Sequence, residues 1–181
     1  MTVDSRPDGP RVRPRMARRT WMVGGLLALL LGGGAVLWVS SRISSQKDCA
    51  APVKDPLDSR SLQHALAGPP PSYGTEPPTS GPHQPGRIDG GVVTEPLPGP
   101  VQVGALEGGQ VLLQHRDLPG PELSRLEALA GPLVIVAPNP ALPSRVVASA
   151  WRTRQLCRSV DDRVLKRFVA EHAKSESEHG R

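Results

Sequence analysis

The sequence predicts an α+β protein with one N-terminal transmembrane helix, a Pro/Gly-rich stalk, and a small extracytoplasmic domain of about three to five short strands and two helices. Three observations carry this. Thr20–Ser41 runs 22 residues without a charge. Residues 44–100 hold 12 Pro and 7 Gly in 57 positions, beyond the roughly 25–30% at which a chain reads as extended or low-complexity. Beyond Gly90, short apolar runs alternate with amphipathic ones.

Arg6, Arg11, Arg13, Arg15, Arg18 and Arg19 face only Asp4 and Asp8 within the first 20 residues, whereas residues 44–181 hold 15 basic and 15 acidic side chains. Of the overall charge of +5, four therefore lie in the first 20 residues and one at Arg42. Because an uncharged run follows, the arginines read as a topological signal rather than a nucleic-acid arm. At about 1.5 Å per residue the run spans the roughly 30 Å hydrocarbon layer. Trp21 and Trp38 lie near its ends, as interfacial indoles do. The alternative is a cleaved signal peptide, but the apolar core is long for one and no Ala-x-Ala follows. The expected location is the plasma membrane, single-pass, N-terminus cytoplasmic. Gly24, Ala28 and Gly32 recur at the four-residue spacing that lets helices approach, so a homodimer through them is an open alternative to plain membrane-helix composition.

The expected organisation is a basic cytoplasmic tail over 1–19, the transmembrane helix over 20–41, the stalk over 42–89, the α+β domain over 90–173 and a disordered tail over 174–181. Proline fixes φ and removes a donor, which excludes long helices and central strands from the stalk. A short helix over Leu57–Ala67 is the one exception expected there. In the domain, Val111–His115, Leu133–Ala137 and Arg145–Trp151 read as strands. Pro121–Ala130 reads as a helix, with Pro121 at its first position and Gly131 ending it. Asp161–Ala173 reads as a second helix, with Ser159 suited to cap it and Val164, Leu165, Phe168, Val169 and His172 forming its apolar face.

Such a core is marginal alone, so a staple would help. Cys49 and Cys157 both follow the anchor, in a compartment that permits disulfides; an intramolecular bridge is the expectation, with free or intermolecular thiols as the alternative.

The run Pro77-Pro78-Thr79-Ser80-Gly81-Pro82-His83 is distinctive, and further pieces follow it: Gly91-Val92-Val93, Ala105-Leu106-Glu107-Gly108-Gly109, Val136-Ala137-Pro138-Asn139-Pro140, Ala150-Trp151 and Phe168. In order and spacing over residues 73–173 the chain resembles the membrane-anchored, mainly actinobacterial family called domain of unknown function 3105. The resemblance implies a membrane-anchored protein without an established activity. It also implies that two family histidines are replaced here by Gly104 and Gly108, and the family's tyrosine by Val93.

His83 and Glu107 remain, and with His115 they are the candidate metal ligands, for zinc or copper, since such sites take at least three protein donors. The competing reading has His83 fixing its Pro-rich loop and Glu107 ordering the turn at Gly108-Gly109. No Walker loop, Gly-x-Gly-x-x-Gly, Gly-x-Ser-x-Gly or His-Glu-x-x-His occurs. The sequence therefore favours an accessory or binding module of the cell envelope, with an envelope protein or ligand as partner and no nucleic acid, over an enzyme. A metal or redox protein and a structural envelope protein are the alternatives.

Overall fold

A computed structural model describes residues 48–65 and 68–174. The basic tail, the uncharged run with Gly24, Ala28 and Gly32, and residues 175–181 lie outside these. Among the described residues no helix is long and apolar enough to cross a membrane.

The described chain forms a mixed sheet with helices on both faces, so the α+β class holds. In chain order the elements are β1 (Val53–Lys54), β2 (Gly91–Val92), α1 (Gly99–Glu107), β3 (Val111–His115), α2 (Gly120–Glu127), β4 (Val134–Pro138), β5 (Val146–Ala150), β6 (Thr153–Cys157) and α3 (Asp162–His172). The sheet order is β1-β6-β5-β3-β4-β2. β3 and β4 run parallel, joined by the α2 crossover, and β2 adds parallel to β4. β5 turns back antiparallel to β3, and a tight turn at Arg152, with φ 56°, leads into β6.

Alternation along β3 divides the core in two. Val111 and Leu113 join Val136, Val146 and Ala148 on one face, under Leu126 of α2 and Leu165 and Phe168 of α3. Leu112 joins Ile135 and Ala137 on the other face, under Ala105 and Leu106 of α1. Being covered on both sides makes the central strands continuous apolar runs.

Helix α1 escapes the sequence reading for the same reason. Its residues Gln102–Leu106 are all buried, so it has no polar face and shows no amphipathic period. Pro100 in its first turn costs no hydrogen bond. Helix α3 is capped by Asp161, not Ser159: the Asp161 carboxylate accepts from the backbone N–H groups of Arg163 and Val164. Helix α2 starts one residue before Pro121 and ends at Glu127, short of Ala130.

The expectation of a stalk over 42–89 fails for its described part. β1 pairs with β6, and the disulfide Cys49–Cys157 fastens the segment beside it. Asp55, Thr79, Ser80 and His83 are all buried. Proline supplies few donors, but the polar residues between the prolines supply the anchors. The Thr79 hydroxyl donates to Asp55 at 2.9 Å, the Arg152 N–H donates to the Thr79 carbonyl at 3.0 Å, and the Gln84 N–H donates to the Pro100 carbonyl at 3.0 Å. The Pro-rich segment is thus a strap over the α1 side of the sheet. No helix forms over Leu57–Ala65 either: the Asp58 carboxylate takes the Arg60 N–H at 2.8 Å, which closes a turn instead. At the other end, Lys174 is held by its N–H to the Gly109 carbonyl at 2.9 Å, so the expected disordered tail does not begin there.

Candidate functional site

The motif Pro77–His83 folds around Tyr73. The Tyr73 hydroxyl donates to the Pro82 carbonyl at 2.7 Å, and burial pushes its pKa up to about 12. Gly81 has φ 128° with the Tyr73 ring against its Cα, so any side chain there would be strained and crowded. Ser80 accepts the Asp58 N–H at 3.0 Å. These contacts deliver His83 to the start of the strap's crossing over α1.

His83 is held at both ends. Its N–H donates to the Gln63 carbonyl at 3.1 Å, and its carbonyl accepts from Ala65 at 2.8 Å. Its Nδ1 lies 3.0 Å from the Gly81 carbonyl. A carbonyl only accepts, so Nδ1 carries a proton. Nε2 lies 2.6 Å from Glu107 Oε2, with the His83 side chain 1% exposed and that of Glu107 43% exposed. Close as they are, no hydrogen bond of acceptable angle joins the two atoms, and Nε2 is otherwise without a hydrogen-bond partner. The contact opens to solvent on the Glu107 side.

Glu107 closes α1, where the helix dipole is negative and a carboxylate is least welcome. Arg87 covers the neighbouring carbonyls, donating to Gly108 and Lys174. A side chain at Gly104 would collide with the Gln84 carbonyl, and one at Gly108 would meet Arg87 Cγ at 2.6 Å. The strap therefore rests directly on this face of α1.

His115 does not join the pair. It shares the odd register of β3 with Val111 and Leu113, so it faces the α2 side, and α1 lies on the opposite face. Burial there lowers its pKa, partly offset by Glu127 of α2. Among the described residues no three His, Cys, Asp or Glu side chains converge to hold a metal ion, so the trio His83, Glu107 and His115 is not assembled.

The structure adds residues that sequence reasoning missed. The His64 ring stands edge-on to the His83 ring, with centroids 5.2 Å apart and planes 73° apart. Its place 19 positions upstream, in a stretch read as helix, gave no signal. Gln114, Ser149 and Gln102 lie buried on the α1 side with side-chain atoms that have no hydrogen-bond partner among the described residues. For Gln114 a signal existed: an amide inside the apolar run of β3. A cavity of about 300 Å³ lies elsewhere, beside the disulfide, lined by Cys49, Pro143, Ser144 and Arg158 among others.

A family model described as "Protein of unknown function (DUF3105)" matches residues 64–181. The chain belongs to this family. The DUF3105 match begins at His64, so it takes in the strap from there onward and strands β2 to β6, leaving β1 outside. Neither the curated proteins nor the solved structures yielded a match to this DUF3105 chain.

Proposed function

We propose that this DUF3105 protein is a single-pass accessory or binding module of the cell envelope, anchored in the plasma membrane with its C-terminal domain extracytoplasmic. The Cys49–Cys157 disulfide is the observation that carries the reading. Such a bond persists outside the cytoplasm, and Cys49 lies only eight residues after the uncharged run ends at Ser41. The arginines before that run support the same orientation.

Binding rather than catalysis is favoured by the site itself. His83 has its Nε2 against Glu107, and the backbone at Gln84 fills the helix face beside them. Nothing in that arrangement frames a nucleophile. The test is a cysteine-modification assay on intact cells with a membrane-impermeant maleimide. With a reductant that reaches only the outer face, Cys49 and Cys157 should become labelled; labelling only after lysis would overturn the placement. Crosslinking in the same cells should then trap an envelope protein or ligand, and a measurable turnover with nothing trapped would count against a binding module.

A further inference from the structure

Just past the strand ends, the sheet gathers three arginines. The Arg116 N–H donates to the Arg145 carbonyl at 2.9 Å, which carries the β3–β5 pairing one residue beyond His115 and Val146. Val146 also pairs with Cys157, so Arg145 in turn stands opposite Arg158. Arg116, Arg145 and Arg158 thus form a row across three adjacent strands. Residues directly opposite hold their Cβ atoms about 4.5–5.5 Å apart, where like charges destabilise a sheet. Val146 and Cys157 face the α2–α3 side, so the row, one position along, faces the other.

Little neutralises this row. Arg116 meets the Asp117 carboxylate at 3.5 Å, but that side chain is 82% exposed and water screens the pair. Among the described residues neither Arg145 nor Arg158 pairs with a carboxylate. Arg145 gives one N–H to the Asp117 carbonyl and keeps its other donors. Arg116 Nε is buried with no hydrogen-bond partner among the described residues.

The cavity of about 300 Å³ adjoins the row, because Arg158 lines it together with Asp48, Ala50, Pro143, Ser144 and Leu156. Leu156 lies two residues before Arg158 in sequence and shares its face of the sheet. The volume is at the lower end of the roughly 300–1,000 Å³ that ligand pockets span, so it suits a small body. One guanidinium fork uses up both oxygens of a carboxylate, whereas the tetrahedral oxygens of a phosphate reach more than one fork at once. Asp48 opposes a ligand that is negative throughout and accepts from hydroxyl groups instead.

We infer that Arg116, Arg145 and Arg158 bind the phosphate of a small organic phosphate whose hydroxylated body enters the cavity toward Asp48. The inference gives the binding module a ligand class and does not depend on where the module is displayed.

The experiment uses the purified full-length chain in a maltoside detergent and phosphate-free buffer. Calorimetry with glycerol phosphate, a free monoester, and with glycerophosphoglycerol, a phospholipid headgroup without its acyl chains, separates the two sources of such a group. One of them should bind at about one equivalent, with a dissociation constant of about 1 mM or below, and more tightly than inorganic phosphate. Arg145→Ala and Arg158→Ala should each weaken it about tenfold or more. Arg158→Lys should recover only part of the loss, because lysine lacks the fork. Arg158 is exposed, so both of its variants should keep the melting temperature. Arg167→Ala, at an exposed arginine of α3, should change nothing. No binding of either organic phosphate by folded protein would overturn the site. An equal loss in Arg167→Ala would also overturn it, as unspecific charge attraction. So would inorganic phosphate binding as tightly as both organic phosphates, since the cavity would then have no part.

Discussion

Asp55 and Arg154 form an ion pair at 3.2 Å across 99 positions of sequence, one in the Pro-rich strap and the other in β6. Asp55 is 4% exposed and also accepts the Thr79 hydroxyl. One buried carboxylate therefore fastens two passes of the strap to the sheet. Asp55→Ala leaves Arg154 and Thr79 without it and should cost about 2–3 kcal/mol, the loss of hydrogen bonds to a charged group. Urea unfolding at pH 7 measures this; a change under about 0.5 kcal/mol, the usual range for surface sites, would show that the strap is not held there.

The disulfide closes a loop across 108 positions. Chain entropy alone assigns a loop of about 100 residues roughly 4.7 kcal/mol, with about 2–4 kcal/mol typical in practice. Cys49→Ala together with Cys157→Ala should lower the unfolding free energy by that typical amount. The wild-type protein in reductant should match the double variant, and equal stability of oxidised and reduced protein would contradict the assignment.

Gly104 should tolerate no side chain, because the Gln84 carbonyl occupies the place of its Cβ. Gly104→Ala gains about 1 kcal/mol of helix propensity, yet the crowding should outweigh it by about 1–3 kcal/mol. Hydrogen exchange should locate the loss at Gln84, whose N–H is held by Pro100. A higher melting temperature would instead mean that the strap can lift from α1 at little cost.

Stability should fall on mild acidification. Burial is the main cause that lowers the pKa of both His115 and His172 below the ordinary value of 6.5. The fold therefore favours the neutral rings. Their contribution is complete above the unfolded pKa and is lost as pH falls through it toward the lower folded values, because the unfolded chain then binds protons first. Melting temperature measured from pH 7.5 to pH 5 should decline, and His115→Gln with His172→Gln should flatten the decline relative to wild type. An unchanged slope in the double variant would refute this origin.

Much of the domain was legible because its elements carry local signatures. β3, β4 and β5 are apolar runs bounded by Pro, Gly or charge, and α3 places Val164, Leu165 and Phe168 on one face. α1 was not, because burial all round erases the period by which a helix is recognised. β1 and β2 have two residues each and exist only through their partners in β6 and β4. His83 and Glu107 were legible as a pair worth testing, since their residue types are suited to one site. His115 does not join them, because one strand's register, visible only once α1 was placed, sets it on the far face.

By itself the sequence determined the family, the central strands and the last helix, since motif order and local periodicity are properties of neighbouring residues. Tertiary structure alone decided that a segment one-third Pro and Gly lies strapped to the sheet and that His64 meets His83. Composition reports what a proline-rich chain cannot form with itself. It does not report the partners, such as Arg152, Arg154 and Pro100, that distant segments offer it once the chain has folded.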